Sequence, residues 1–170
     1  MKIRPILSLL SFLFVAQLSA AEPNALHAAR ADFEKAGSPP TEAARVQYLT
    51  KLVSLRADLA HRNDLGWKAV DAEISRHPVP KNSDAKALTA LLVGKWSSPR
   101  HDYLYRKNGT WTMLPAEEDA TRGDWHVEGN RFVSSGVDDK RRPYTILLLT
   151  KKDFVFTDGE VVFYETRLTK

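Results

Sequence analysis

Three groups of polar residues have the side-chain types that catalysis or metal binding uses. Arg100-His101-Asp102 sets a cation, an imidazole and a carboxylate in a row, the ingredients of acid–base chemistry. Neighbours on an extended strand point to opposite faces, so His101 and Asp102 do not meet one substrate. The alternation instead places His101 with Tyr103 and Tyr105. Asp124, His126 and Glu128 alternate with Trp125 and Val127, which puts all three on one strand face. Carboxylates and imidazole are suitable zinc or transition-metal ligands. At about 3.3 Å per residue, however, the three are spread over roughly 13 Å. Bonds of about 2 Å cannot bridge that span, so a solvated outer face is expected. Glu73 and His77 stand four apart, the spacing of a helical ligand pair, but the second pair that a two-metal bundle needs is missing. A cap or a local ion pair is the expected role.

Other chemistries have less support. There is no Gly-x-Ser-x-Gly nucleophile elbow, and Ser134-Ser135-Gly136 reads as a strand end leading into a turn. No glycine loop that would cradle phosphate is present. Asn108-Gly109-Thr110 formally matches a glycosylation acceptor, but a hairpin turn already explains it. The chain has no cysteine, which excludes disulfides, thiolate zinc sites, cysteine nucleophiles and a lipidated cysteine anchor. No enzyme activity, metal or cofactor is expected.

The elements that position these residues fall into two textures. Lys2 and Arg4 precede an apolar run, ILSLLSFLFVA (6–16), and Ser19-Ala20-Ala21 supplies small residues for cleavage. That order reads as a signal peptide over 1–21, too short for a membrane span. It implies an exported protein, soluble in the periplasm or medium. Without the two leader charges the chain carries 23 basic and 21 acidic residues, from 25 and 21 in the whole, and neither half holds a phosphate-binding basic patch. Nucleic acid is therefore excluded as a partner. Lys140-Arg141-Arg142 beside Asp138-Asp139 reads as a charged turn.

Residues 22–92 form a helical region of three to four helices. Ala25 to Lys35 suits a short leading helix, and Ser38-Pro39-Pro40 signals the start of the next. Val46, Leu49, Val53 and Ala60, widened by Tyr48, Leu52, Leu55 and Leu59, make its buried stripe. Asp64 is expected to cap a helix carrying Trp67, Val70 and Ile74. After Pro78 and Pro80, Ser83 or Asp84 starts a last helix through Leu92.

From Gly94 onward lie six of the eight glycines and three of the four tryptophans, and the apolar residues alternate or run in short blocks. Eight strands are predicted near 94–98, 101–107, 110–115, 122–128, 131–136, 143–150, 153–158 and 161–168. Asn108-Gly109, Glu128-Gly129-Asn130, Lys151-Lys152 and Asp158-Gly159-Glu160 supply short turns. Consecutive antiparallel strands this short are best stabilised by curling and closing, which removes exposed edges. The fold expected is α+β: helices followed by an eight-stranded up-and-down meander closing into a small barrel over 93–170.

Gly94-Lys95-Trp96 at the first strand resembles the Gly-x-Trp of lipocalins and related calycin barrels. YLYRKNGTW (103–111), GDWHVEGN (123–130), Tyr144 to Leu149 and FYETRL (163–168) follow in an order similar to compact bacterial lipocalin-like domains. The resemblance covers 93–170; the middle Thr-Asp-Tyr motif has no match and the helical region has no counterpart. It implies that Arg167 packs over Trp96 at the base of the barrel, with Gly94 completing the motif. It also implies a binding protein that takes a small apolar or amphipathic ligand at the barrel mouth. His101, Tyr103, Tyr105, Arg106, Trp111 and Trp125 are the candidate ligand-binding residues, being rings with polar ends or their neighbours. The alternative is a barrel filled by its own side chains, contacting an envelope protein or a polymer. A monomer is expected in either case.

Overall fold

A computed structural model describes residues 22–37, 40–115, 121–136 and 140–169. The leader segment 1–21, Ser38-Pro39 of the expected helix start and Asp138-Asp139 lie outside the described residues. Among the described residues there are four helices, α1 (Asn24–Lys35), α2 (Glu42–His61), α3 (Trp67–Ser75) and α4 (Ala85–Leu92). Eight strands follow: β1 (Gly94–Ser97), β2 (Asp102–Tyr105), β3 (Thr110–Leu114), β4 (Arg122–Glu128), β5 (Arg131–Ser135), β6 (Arg141–Leu149), β7 (Asp153–Thr157) and β8 (Val162–Arg167). Each strand pairs antiparallel with the next, and β8 returns to β1 through Trp96↔Arg167 and Ser97↔Thr166. The meander is a closed barrel with no free edge. None of the helices is long and apolar enough to cross a membrane.

Local chemistry accounts for the element ends. Thr41 Oγ1 accepts from Ala44 N at 3.2 Å and caps α2, while Asp84 Oδ1 accepts from Lys86 N and Ala87 N and caps α4. Asp64 does not cap α3 as the sequence suggested. It accepts from Gly66 N at 2.8 Å and holds the turn one step earlier, because α3 begins only at Trp67. In the β2–β3 hairpin Asn108 Oδ1 accepts from Thr110 N and Thr110 Oγ1, an Asx turn closed by Gly109 at φ +82°.

Two apolar cores share the sheet as a common wall. Inside the barrel, Trp96, Tyr105, Trp111, Trp125, Phe132, Phe154 and Phe156 interdigitate. Outside it, Leu26, Tyr48, Leu49, Leu52, Val70 and Ile74 of α1–α3 pack on Leu147, Leu148 and Val155. The unbroken apolar run Ile146–Leu149 is therefore buried on both faces, where alternating strands elsewhere put one face to water. β4 is such an alternating strand: Trp125 is buried and Asp124, His126 and Glu128 are exposed.

The buried stripe of α2 is not wholly apolar. Arg45, 8 % exposed, lies in phase with Tyr48, Leu49, Leu52 and Leu59. Its Nη1 donates to His77 O at 2.9 Å and to Leu147 O at 2.8 Å, and its other nitrogens grip Glu42 at 2.7 and 2.6 Å. Leu147 is the extra residue of a bulge in the β6–β7 ladder, where pairing jumps from Ile146 to Leu148. Arg45 thus gives a partner to a carbonyl on the helix-covered face of that bulge. Beside it, Val79 N donates to Ile146 O and Asn130 Nδ2 donates to Val79 O, so the α3–α4 linker is tied to β6 and to the β4–β5 turn.

Candidate functional site

The barrel is filled at one end and open at the other. α4 covers the filled end with Leu88 and Leu92. There the Arg167 guanidinium lies 4.3 Å from the centre of the Trp96 ring, and Trp96 Nε1 donates to Leu92 O at 2.7 Å. Arg167 Nη1 donates to Val93 O at 2.9 Å, and its Nη2 donates to Leu91 O. Gly94, at φ +141°, makes room for this: a Cβ there would stand 2.2 Å from Arg167 Nη1. Gly94, Trp96 and Arg167 thus form one plug that ties the last strand to the end of α4.

Above the plug the interior opens into a space of about 910 Å³, a volume that includes the mouth and the outer rim as far as Tyr164 and Arg56. Small-molecule pockets are commonly about 300–1,000 Å³. The rings Tyr103, Tyr105, Trp111, Phe132, Tyr144, Phe156 and Phe163 form its wall. They meet edge to face or stacked, with Tyr103–Trp111 at 5.9 Å, Tyr144–Phe163 at 5.7 Å and Phe156–Phe163 at 5.1 Å. Ser98, Pro99, Arg100 and His101 from the β1–β2 loop, with Arg142 of β6, stand around the mouth. The space continues over the β7–β8 rim to Tyr164 and to Arg56, which pairs with Asp71 at 3.3 Å. A second depression, between α1 and α2, encloses about 60 Å³ and is too small for an organic ligand.

The candidate residues separate cleanly. Tyr103, Tyr105 and Trp111 line the cavity, and His101 sits at its mouth, its ring 6.5 Å from that of Tyr103. Arg106 and Trp125 do not line it. Arg106 falls on the outward phase after Tyr105, where its Nη1 donates to Thr112 Oγ1 at 2.6 Å. Trp125 is inward but low in the filled half, 3 % exposed, with its indole N–H donating to Thr110 O. Trp111 reaches across β4 to donate to Ser135 O at 2.9 Å, over the bare backbone of Gly123.

The cavity floor holds a residue that the sequence reading passed over. Glu165 is 5 % exposed and faces inward, two positions before Arg167. Tyr105 donates its hydroxyl to Glu165 Oε1 at 3.1 Å, while Oε2 is buried with no hydrogen-bond partner among the described residues. Burial raises this carboxyl to about 8, and the Tyr105 hydroxyl only partly offsets that. Tyr105 and Tyr103 are raised in turn, first by burial and then by the carboxylate beside them. The signal was present in FYETRL: if Arg167 points inward, period two sends Glu165 and Phe163 inward as well.

The remaining polar groups hold the fold together. Glu73, 4 % exposed, accepts from Tyr48 Oη at 2.9 Å, Arg30 Nη2 at 2.8 Å and Arg76 Nη1 at 2.9 Å, with His77 Nε2 at 3.1 Å. The Glu73–His77 pair therefore serves a buried polar network. Among the described residues no group of three acidic or histidine side chains is placed to hold a metal, and His101 takes part in no ion pair with Asp102 or any other carboxylate. Comparisons with protein-family models, with curated proteins and with solved structures find no match. What the chain itself displays is a closed eight-stranded barrel with an aromatic cavity, a carboxyl floor and a helical jacket on one side.

Proposed function

We propose that this protein is an exported, non-catalytic binding protein of lipocalin-like build, holding a small amphipathic molecule inside the barrel. The observation that carries the reading is the cavity: an aromatic wall open at one end, with a polar floor at Glu165 and Tyr105. An apolar body desolvates against the rings at about 25 cal/mol per Å² of apolar surface, and a polar end meets the floor. The non-catalytic part of the reading is supported by the position of His101 at the rim and by the lack, among the described lining residues, of a side-chain hydrogen bond from a hydroxyl to the His101 ring.

The test is native mass spectrometry of protein purified from its own host, together with a Ser134→Trp variant. Ser134 lines the cavity, and an indole there fills the upper barrel. The expected result is a discrete added mass on the native protein that the variant lacks, with both giving the same circular dichroism. Absence of any added mass, together with no binding of small aromatic probes, overturns the reading.

A further inference from the structure

Resting on that binding reading, we propose that the ligand carries a basic nitrogen, enters the barrel amine first, and pairs its ammonium with Glu165. Three observations converge on this. Glu165 lines the cavity; its Oε1 is engaged by Tyr105, and its Oε2 is buried with no hydrogen-bond partner among the described residues. A buried acceptor without a donor is expensive, and a ligand N–H is the group that would complete it. The surrounding wall is aromatic, from Tyr103 and Trp111 to Tyr144 and Phe156, and a ring face turned to a cation attracts it. Finally, none of the ion pairs among the described residues uses Glu165, so those residues supply it with no counter-charge.

The groups around Glu165 define how binding depends on protons. Tyr103 and Tyr105 face it from β2, and Tyr144 lies nearby on β6. Arg167, next inward on β8, is committed to Val93 O, Leu91 O and the Trp96 ring. Arg100, His101 and Arg142 stand at the mouth, with Arg56 beyond the rim. In the empty barrel burial favours the neutral carboxyl; an arriving ammonium favours the carboxylate, and the Glu165 proton leaves to solvent. Amine binding is therefore accompanied by proton release and strengthens as the pH rises towards about 8. Arg100 at the mouth repels a second positive charge, which favours a monoamine whose outer end is neutral or anionic.

Three probes of one shape separate the alternatives: 2-phenylethylamine, 2-phenylethanol and 3-phenylpropionate, titrated calorimetrically into the full chain and into Glu165→Gln. A charged pair in such a site predicts that the amine binds the native protein about tenfold or more tighter than the alcohol. In the isosteric variant the preference falls to within about threefold while the alcohol binds as before. Heats measured in phosphate and in Tris then differ by one released proton for the native protein with the amine, and not for the variant. Equal binding of amine and alcohol, or a preference that survives Glu165→Gln, overturns the amine assignment and leaves the binding reading standing. If none of the three binds, the small-molecule reading fails and this inference with it.

Discussion

Gly94→Ala is a one-methyl test of how the barrel is plugged. Gly94 sits at φ +141°, a region that costs a side-chain-bearing residue on the order of 1–3 kcal/mol. The added Cβ would lie 2.2 Å from Arg167 Nη1 and 3.4 Å from its Cζ, so the guanidinium has to move. Moving it weakens its bonds to Val93 O and Leu91 O, each about 1.5 kcal/mol at the low end of the range for charged donors. Strain and one lost bond together predict a destabilisation of about 3–4 kcal/mol in urea unfolding followed by tryptophan fluorescence. For a chain of this size that is a fall of roughly 10 °C in Tm. A double-mutant cycle with Arg167→Ala separates the two parts, because only the clash disappears when the guanidinium is gone. The double variant is expected to be about 1.5 kcal/mol more stable than the sum of the single effects. A Gly94→Ala cost below about 1 kcal/mol, or additivity within about 0.5 kcal/mol, would refute the plug geometry.

Further outcomes follow from the buried polar groups. Burial alone would raise Glu73, but bonds from Arg30, His77 and Tyr48 hold it near 2, below its usual 4.5. Its contribution, on the order of 3 kcal/mol, is full above about pH 4.5 and lost as pH falls towards 2, and Glu73→Gln should flatten that limb in unfolding measured at pH 3 and 6. Glu165 acts in the opposite sense. Raised from 4.5 to about 8, it keeps a proton that the unfolded chain loses, so stability declines as pH rises across that window. Glu165→Gln should remove a decline on the order of 4 kcal/mol, being more stable than the native protein at pH 8 and little different at pH 4. Arg45→Met leaves Leu147 O and His77 O without their buried donor and should cost about 3 kcal/mol in the same assay. Tyr164→Phe removes the hydroxyl that donates to Asp71 at 2.6 Å and should cost about 1–2 kcal/mol, read as a lower urea midpoint with an unchanged slope.

Much of the fold was legible because period and punctuation agreed. Asn108-Gly109 and Asp158-Gly159 mark turns by chemistry, and between them the inward rings recur every second residue. The strand limits fall within two residues of those read from the pattern at both ends of every strand. The resemblance at Gly94-x-Trp96 brought Arg167 to the plug, which spacing alone could not do. Charged residues on inward phases were harder to see. Arg45 occupies the α2 stripe and Glu165 the β8 interior, and in both cases the expectation that charge faces water hid the periodicity. Arg106 erred the other way: chosen for its polar tip, it lies on the phase opposite to Tyr103 and Tyr105. Trp125 shows the remaining gap. Alternation gives the face a ring occupies, but not its height in the barrel, which is set by register and by the reach of neighbouring rings.

The final strand brings three consequences together. β8 pairs with β1 to close the sheet, carries Glu165 on the cavity floor, and presents Tyr164 to Asp71 of the helical jacket. It is also made last among these elements, long after α2, whose Arg45 waits 102 residues for the carbonyl it holds. A chain that stops before Val162 would leave β1 and β7 as raw edges, lack the floor, and release the jacket from one of its ties. Closure, binding and docking would therefore appear together or not at all, so truncated chains would lack the complete site and expose their defect to proteases.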